Sequence, residues 1–151
     1  MMEASHILGI ENDTITLRVA KKMVDHSLLN GWDETPNEGS FYDEAYYFKD
    51  KSDITITRDT KNWWAQGEGM NTLLMMSELY PNDSMKYYDK FFKSWTYINN
   101  NLIDHEYGDW YAGGLDKQPE MKTALKGHIW KATYHQYRAM ENCVNRLKNE
   151  M

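Results

Sequence analysis

The chain has 151 residues, of which 41% are hydrophobic and 26% charged, a composition typical of one globular domain with its own core. Its net charge of −6 and the lack of a basic run argue against nucleic-acid binding, which requires clustered lysine and arginine. The single cysteine, Cys143, excludes an internal disulfide, and no stretch has the pattern of a membrane span or a secretion signal. We therefore expect a cytoplasmic protein that binds neither nucleic acid nor membrane.

Two helices are predicted before residue 32. Residues 1–9 have the pattern of a helix end without a capped start, and Gly9 is the glycine that commonly follows a helix. The next helix is predicted to begin at Asp13 or Thr14, both favourable N-caps, and to end at Gly31. Apolar residues recur along it at the spacing of one helix face: Leu17, Ala20, Val24 and Leu28.

Residues 32–60 have the composition of turns and short strands. Polar turn-forming residues at 33–40 precede two segments rich in β-formers, FYDEAYYF (41–48) and ITITRDT (54–60). Because the sequence between these segments is short and polar, we predict that they pair as a hairpin.

Three more helices complete the predicted fold. They cover residues 62–80, 84–104 and 133–148, and Pro81 separates the first two. The segment DWYAGGLDK (109–117) is predicted to contain a short strand. The core-facing stripe of the helix at 84–104 is predicted to be Tyr88, Phe91, Trp95, Ile98 and Leu102. Helices joined by loops with short hairpins indicate an architecture of paired α-helices.

One face of the helix at residues 62–80 is a candidate cleft lining. At 100° per residue, one sector holds Trp64, Glu68, Asn71 and Met75, and the opposite sector holds Trp63, Met70, Leu73 and Leu74. A polar helix face is usually solvated, but an indole at its centre favours a cleft. Gly67 and Gly69 each cost a helix about 1 kcal/mol relative to alanine, which indicates close packing.

The last helix carries a second candidate face, formed by His135, Arg138 and Asn142. The opposite, apolar face is predicted to be Tyr137, Met140, Val144 and Leu147. His135 lies in the first turn, near the positive end of the helix dipole, where a neutral imidazole is available as a base. A histidine that only makes local hydrogen bonds is the alternative. The remaining histidines lack metal-ligand spacing, so no bound metal is expected: His6, His26, His105 and His128.

Two segments together resemble the N-acylglucosamine 2-epimerase family, which includes cellobiose and mannobiose 2-epimerases. They are KNWWAQGEGMNTLL (61–74) and WKATYHQYRAMENC (130–143). Between them, SWTYINNNLIDHEYGDWYAGGLD (94–116) is similar to the family's link of an aromatic helix, Ile-Asp and Gly-acidic-Trp. The upstream helix and hairpin also follow the family's order, so the resemblance covers nearly the whole chain. The sequence departs from the family's usual alanine, proline or asparagine at Gly67, Gly69, Thr133 and Gln136.

The resemblance implies an all-α fold, a partial (α/α)6 toroid with short β-hairpins in its inter-helix loops and a sugar pocket at its centre. Residues 1–151 would form a single domain, the C-terminal portion of that barrel, truncated at the N-terminus. Met1 aligns just after the family's His-x-x-Glu motif, which carries a second catalytic histidine. Such a partial toroid exposes an apolar flank, through which self-association is expected.

The resemblance also implies roles for five residues. His135 matches the family's C-terminal catalytic histidine, a general acid/base. Trp64 and Trp130 match tryptophans that pack on sugar rings. Glu68 matches a carboxylate of the sugar pocket, and Arg138 matches the arginine that follows the histidine. The implied activity is 2-epimerisation of a ring-opened mono- or disaccharide through the C2 proton, without a cofactor, and this chain alone is expected to be inactive or nearly so.

Two other functions remain open at this point. A glycoside hydrolase on the same toroid needs two carboxylates across the scissile bond, and Glu68 with Asp104 is the pair available. The other is a non-catalytic carbohydrate-binding or interaction module.

Overall fold

The computed structural model of the protein describes residues 2–10, 13–35 and 38–149. In these residues the α-helices are α1 (Met2–Ile7), α2 (Thr14–Gly31), α3 (Trp63–Leu79), α4 (Tyr87–Asn101) and α5 (Tyr134–Asn149). The strands are β1 (Trp32–Glu34), β2 (Gly39–Phe41), β3 (Glu44–Tyr46) and β4 (Thr55–Arg58), and a 3-10 helix covers Pro119–Lys122. The predicted helical architecture with short hairpins is confirmed.

The ends of α1 and α2 follow the capping signals in the sequence. Gly9 adopts a φ of 70°, and the N–H of Ile10 donates to the carbonyl of Ser5 at 3.0 Å, which closes α1. Asp13 is the N-cap of α2, and its carboxylate accepts a hydrogen bond from the N–H of Thr16 at 2.9 Å. The predicted inner face of α2 is confirmed as buried or partly buried: Leu17, Ala20, Val24 and Leu28.

Two antiparallel hairpins lie between α2 and α3. β3 pairs with β4, with Glu44 opposite Arg58, which confirms the predicted hairpin. β1 pairs with β2, with Trp32 opposite Phe41, so the prediction of turns alone at residues 33–40 is wrong. The rings of Trp32 and Phe41 meet edge to face with their centroids 4.9 Å apart. This aromatic contact stabilises a hairpin that the polar composition of residues 33–40 does not predict.

The core lies between α3, α4 and α5, and β2 packs against α3 and α4. The apolar side predicted for α3 is confirmed, because its four residues are all buried: Trp63, Met70, Leu73 and Leu74. On α4 the prediction fails at Tyr88, which is half exposed, while its neighbour Tyr87 is buried. The helix begins only at Tyr87, after Lys86 adopts a left-handed φ of 52°. The Tyr87 hydroxyl also hydrogen-bonds Asp25 and Lys21 of α2, which fixes this ring inside.

The helix α5 packs on α3 through a face centred on Ala139. The buried members of this face are Gln136, Ala139 and Cys143. The predicted apolar face is wrong at Tyr137 and Val144, which are exposed, although Met140 and Leu147 do pack against the core. Because Ala139 is at the centre of this interface, Tyr137 and Val144 lie outside it, while Met140 and Leu147 lie at its edges.

The two glycines of α3 differ in how closely their neighbours approach. A Cβ on Gly69 would lie 2.5 Å from the Phe41 ring, so the close packing predicted there is confirmed. A Cβ on Gly67 would lie 3.5 Å from the Cβ of Ala139, which is an ordinary contact distance. Gly69 is therefore required by the fit of β2 against α3, whereas the space at Gly67 would admit alanine.

The short β piece predicted within residues 109–117 is present as isolated bridges and not as a continuous strand. Ile103 pairs with Trp110, and Asn62 pairs with Gly113, so the segment is tied to the end of α4 and to the start of α3. Within the described ranges, no helix is both long enough and apolar enough to cross a lipid bilayer.

Candidate active site

Five side chains meet where the first two turns of α3 and α5 lie side by side. We call them the α3–α5 cluster: Trp64, Glu68, Tyr134, His135 and Arg138. Four of them are site residues that the sequence predicts, and Tyr134 is an addition. The cluster is partly shielded from solvent, since the side chains of Glu68, His135 and Arg138 are 29%, 31% and 39% exposed.

The start of α3 is held in place by its N-cap and by the ion pairs of the residue before it. Asn62 is the N-cap, and its side-chain oxygen accepts a hydrogen bond from the N–H of Ala65 at 3.0 Å. The preceding residue, Lys61, is buried and forms ion pairs with Asp33 at 2.7 Å and Asp116 at 3.0 Å. Since a buried ammonium must be paired, these carboxylates fix the entry to α3 and with it the direction of Trp64 and Glu68.

Glu68 is the centre of the cluster. Nδ1 of His135 lies 2.8 Å from Oε1 of Glu68, and Nη2 of Arg138 donates a hydrogen bond to the same oxygen. Residues three apart on a helix lie on the same face, so α5 presents both side chains to one carboxylate. The sequence predicts each face separately, and the structure brings the two faces together.

The contact with Glu68 defines the tautomer of His135. An ionised carboxylate only accepts hydrogen bonds, so Nδ1 carries the proton and donates it to Glu68. In the neutral imidazole the other ring nitrogen, Nε2, then presents a lone pair, and no hydrogen bond joins it to another residue in the described part of the chain. An imidazole in this state can accept a proton, and the carboxylate stabilises the cation that forms.

Two aromatic rings contact the imidazole. The Tyr134 ring meets His135 edge to face with centroids 4.9 Å apart, and the Trp64 ring lies at 6.0 Å. Arg138 stacks over the Tyr134 ring at 4.4 Å and donates to its hydroxyl. Tyr134 therefore supports both His135 and Arg138. Its spacing of four residues before Arg138 is the signal in the sequence that could have identified it.

Trp130 lies apart from the cluster. It is 79% exposed in a tight turn closed by a bridge between His128 and Lys131, and its N–H donates to Nδ1 of His128 at 3.2 Å. Neither a ring contact nor a hydrogen bond joins its indole to the cluster within the residues that the structure describes. Its sugar-packing role stays a prediction.

A cleft of about 530 Å³ adjoins the cluster between α2 and α3. Trp64 and Glu68 line it together with apolar side chains: Met23, Val24, Phe41 and Leu73. The volume is within the range of small-molecule sites, and an apolar wall beside a few polar groups is their usual composition. Of the other residues predicted on the Trp64 face, Asn71 is buried, and its side-chain oxygen has no hydrogen-bond partner among the described residues.

Asp104 does not have the properties of a hydrolase acid. It forms an ion pair with Lys126 and accepts hydrogen bonds from the N–H groups of Tyr107 and Glu106 at 3.1 and 3.0 Å. These donors, Lys126 first, hold the pKa of the Asp104 carboxyl well below its ordinary value. A lowered pKa excludes Asp104 as the acid of a glycosidase pair. Its carboxylate is also only 6% exposed and has no contact with Glu68 among the described residues, so the structure does not support this pair. Across the described ranges, no group of three or more His, Cys, Asp or Glu side chains is arranged to hold a metal ion.

Two curated proteins resemble this chain in sequence. It is 28% identical to N-acylglucosamine 2-epimerase of Bos taurus over 135 residues, which cover 84% of this chain and 30% of that protein. It is 27% identical to D-mannose isomerase of Marinomonas mediterranea over 129 residues, which cover 85% of this chain and 29% of that protein. The chain thus spans less than a third of the length of these relatives.

Two solved structures share its fold. A crystal structure of D-mannose isomerase aligns with 92% of this chain and 32% of its own, with a TM-score of 0.68 and 24% identity. A sugar epimerase from a ruminal bacterium aligns with 95% of this chain and 34% of its own, with a TM-score of 0.68 and 20% identity. The sequence model of N-acylglucosamine 2-epimerase (GlcNAc 2-epimerase) matches residues 1–139, a range that includes the whole α3–α5 cluster. This chain belongs to the N-acylglucosamine 2-epimerase family.

Proposed function

We propose that this chain supplies one of the two proton-transfer groups of a sugar 2-epimerase, and that His135 is that group. The observation that carries the proposal is the 2.8 Å contact between Nδ1 of His135 and Glu68, which leaves Nε2 as the proton acceptor. Membership of the N-acylglucosamine 2-epimerase family and similarity to a D-mannose isomerase support a sugar substrate.

The proposed reaction begins with an open-chain sugar, whose C1 aldehyde acidifies the proton on C2. Nε2 of His135 takes this proton, the electron pair of the C2–H bond forms the C1–C2 double bond of an enediolate, and negative charge moves to O1. A proton returned to the opposite face of C2 gives the epimer. Proton transfer by a positioned base accounts for about 10²–10⁴-fold of such a rate enhancement.

The other residues of the site have supporting roles in this proposal. Arg138 keeps a partly exposed guanidinium beside His135 and stabilises the charge on O1 of the enediolate. Glu68 orients the imidazole and stabilises its protonated form. Trp64, which lines the cleft, and Trp130 offer exposed indole faces to the apolar faces of sugar rings.

We propose further that the helices form part of an (α/α)6 toroid, and that the second proton-transfer group lies outside this chain. The chain spans 30% and 29% of the two curated relatives, which supports this arrangement. With one base the chain would return the proton to the face from which it came. We therefore expect exchange of the C2 proton with solvent but no epimer.

The experiment is incubation of the purified chain with N-acetylglucosamine or D-mannose in D₂O, followed by NMR of the C2 proton. We expect slow loss of the C2–H signal, which His135→Ala abolishes. His105→Ala is the matched control, because His105 is an exposed histidine that hydrogen-bonds the Asn99 carbonyl and has no contact with the cluster. Exchange that is equally fast in parent and His135→Ala would contradict the role of His135. Epimer formed by the parent and lost in His135→Ala would overturn the proposal that a second group is missing.

An aldose–ketose isomerase is the second candidate function, and the similarity to a D-mannose isomerase favours it. The same proton leaves C2, but it returns to C1 while the proton of the O2 hydroxyl passes to O1, which produces a ketose. The D₂O experiment separates the two reactions, since deuterium at C1 of a ketose identifies the isomerase.

We also propose that the chain self-associates through its α2 side. Ile15, Val19 and Met23 recur every four residues along α2, and all three are exposed, with Met23 at the cleft. A contiguous apolar stripe of this kind indicates an interaction surface. Light scattering is expected to give a mass above that of a monomer, and Val19→Lys is expected to lower it. A strict monomer in the parent would contradict this proposal.

A further inference from the structure

Asp109 has an unusual backbone conformation for a residue with a side chain. Its φ is 64°, and among non-glycine residues in the described part of the chain only Lys86 shares the left-handed region. Aspartate tolerates this region better than most residues, but the conformation persists only where surrounding contacts hold it. The contacts of Asp109 therefore indicate why the residue adopts this conformation.

The Asp109 carboxylate accepts three hydrogen bonds. Oδ1 accepts from the N–H of Trp110 at 2.7 Å and from Nε2 of Gln136 at 3.0 Å, and Oδ2 accepts from Nζ of Lys131 at 3.2 Å. The carboxylate is partly exposed, whereas Lys131 and Gln136 are both buried. Burial raises the pKa of Asp109, but the Trp110 N–H and the Lys131 ammonium outweigh it and lower the pKa overall.

The two side chains that Asp109 holds lie on either side of the entrance to α5. Lys131 ends the turn before the helix, and Gln136 is the residue directly after His135. One carboxylate thus bridges residues 131 and 136 and fixes the segment between them, which includes His135. This bridge attaches the first turn of α5 to the segment that follows α4.

Asp109 is connected to α3 as well, through the residue that follows it. The Trp110 ring lies 3.6 Å from the Cβ position of Gly67, and the carbonyl oxygen of His135 lies 3.7 Å from the same position. Gly67 directly precedes Glu68. The left-handed turn at Asp109 therefore sets Trp110 against α3 while the carboxylate holds α5, so both halves of the Glu68–His135 pair depend on it.

We propose that Asp109 is a positioning residue for His135, whose carboxylate fixes the entrance of α5 so that Nδ1 stays in hydrogen-bond contact with Glu68. This inference rests on the proposed function, because it assigns Asp109 to the geometry of the proposed base. Asp109 does not touch the substrate in this proposal and acts only through Lys131, Gln136 and the turn.

The test is long-range ¹H–¹⁵N NMR of the His135 ring, assigned by its loss in His135→Ala. In the parent we expect the signature of a protonated Nδ1 and an unprotonated Nε2. Asp109→Gly keeps the left-handed backbone and removes every carboxylate contact, so we expect the population with a protonated Nδ1 to fall. Asp109→Asn keeps one acceptor oxygen but loses the ion pair with Lys131, so an intermediate change is expected. Asp59→Asn is the matched control, since it removes one charge from the exposed pair with Lys117.

The result that overturns the inference is a parent-like His135 ring spectrum in the folded Asp109 variants. If Asp109→Gly does not fold, Asp109→Asn decides the question, because it has nearly the same shape as the native residue. Glu68→Ala tests the proposed function separately, by removing the oxygen that accepts from Nδ1 of His135. If Glu68→Ala changes the ring spectrum and the Asp109 variants do not, only the role of Asp109 fails. If Glu68→Ala leaves the spectrum unchanged, the basis of the proposed function fails.

Discussion

The two sides of α3 are built differently. On one side α5 lies in close contact, with Ala139 opposite Gly67 and with Gln136 and Cys143 buried between the helices. On the other side α2 stands away from α3 and leaves the cleft of about 530 Å³, which is lined mainly by apolar residues. His135, the side chain proposed for proton transfer, belongs to the closed side, whereas its partner Glu68 also lines the cleft.

Polar contacts of Lys21 attach α2 to the start of α4 and to the loop before it. Nζ of Lys21 lies 3.0 Å from Asp83 and 2.9 Å from the hydroxyl of Tyr87. The outer apolar residues of α2 meanwhile remain exposed, among them Ile15. The helices that carry the proposed catalytic residue are therefore tightly packed against each other, whereas the neighbouring apolar surface of α2 is exposed to solvent.

The largest expected effect comes from comparing the same truncation, isoleucine to alanine, in the packed core and on the exposed surface of α2. Ile98 of α4 is fully buried, at 0% exposure, whereas Ile15 of α2 is 67% exposed. Ile98→Ala leaves a cavity in the core and is expected to lower the free energy of unfolding by about 2–5 kcal/mol. Ile15→Ala is expected to change it by less than about 0.5 kcal/mol, as is usual at the surface. Urea denaturation at low protein concentration measures both values.

A large fall in the free energy of unfolding in Ile15→Ala would contradict this contrast, because it would mean that another surface covers the exposed residues of α2 in solution. Repeating the denaturation at several protein concentrations then shows whether a second copy of the chain supplies that surface. If the loss grows with concentration, a second copy of the chain covers the stripe, as the proposed self-association requires.

The sequence predicts most helices because their signals are local. Asp13 caps α2 and Gly9 ends α1, and both signals lie within a few residues of the boundary that they set. The β1–β2 hairpin is different, since the contact of Trp32 with Phe41 depends on residues nine positions apart whose surroundings are polar. The choice between Tyr87 and Tyr88 likewise depends on where α4 begins, which the left-handed Lys86 sets.

The candidate site is predicted only in part, for a related reason. Helical periodicity places Glu68 and His135 on polar faces, but they are 67 positions apart, and periodicity does not state which faces meet. The resemblance to a family supplies that information. Asp109 lies within a segment that the resemblance covers, yet its bonds to residues 131 and 136 accompany a left-handed backbone conformation that non-glycine residues adopt infrequently.

The second prediction compares alanine substitutions at the two glycines of α3, Gly67 beside Ala139 and Gly69 beside the Phe41 ring. Alanine has the higher helix propensity, by about 1 kcal/mol, so Gly67→Ala is expected to be neutral or to stabilise by up to about that amount. Gly69→Ala places a Cβ 2.5 Å from the Phe41 ring, which must move, and overpacking of this kind costs about 1–3 kcal/mol. Thermal unfolding of the two variants measures the difference. Equal stability would show that the Phe41 ring moves freely into the cleft, and the fit of β2 against α3 would then be loose.

The smallest expected effect concerns the polar attachment of α2 and its dependence on pH. The N–H of Met85 and the ammonium of Lys21 hold the pKa of the Asp83 carboxyl below its ordinary value of 3.8. A carboxyl whose pKa is lowered in the folded state stabilises the fold above the pKa of the unfolded chain, and this contribution disappears as pH falls through the folded value. Asp83→Asn is therefore expected to lower the midpoint of thermal unfolding at pH 7, by less than Gly69→Ala does, and to have a progressively smaller effect as the pH falls below 3.8. Asp50→Asn, at an exposed loop residue, is the control for the change in charge. A difference between Asp83→Asn and the parent that persists unchanged to pH 2 would mean that the amide itself disturbs the turn. The attachment of α2 would then depend on shape more than on the ion pair.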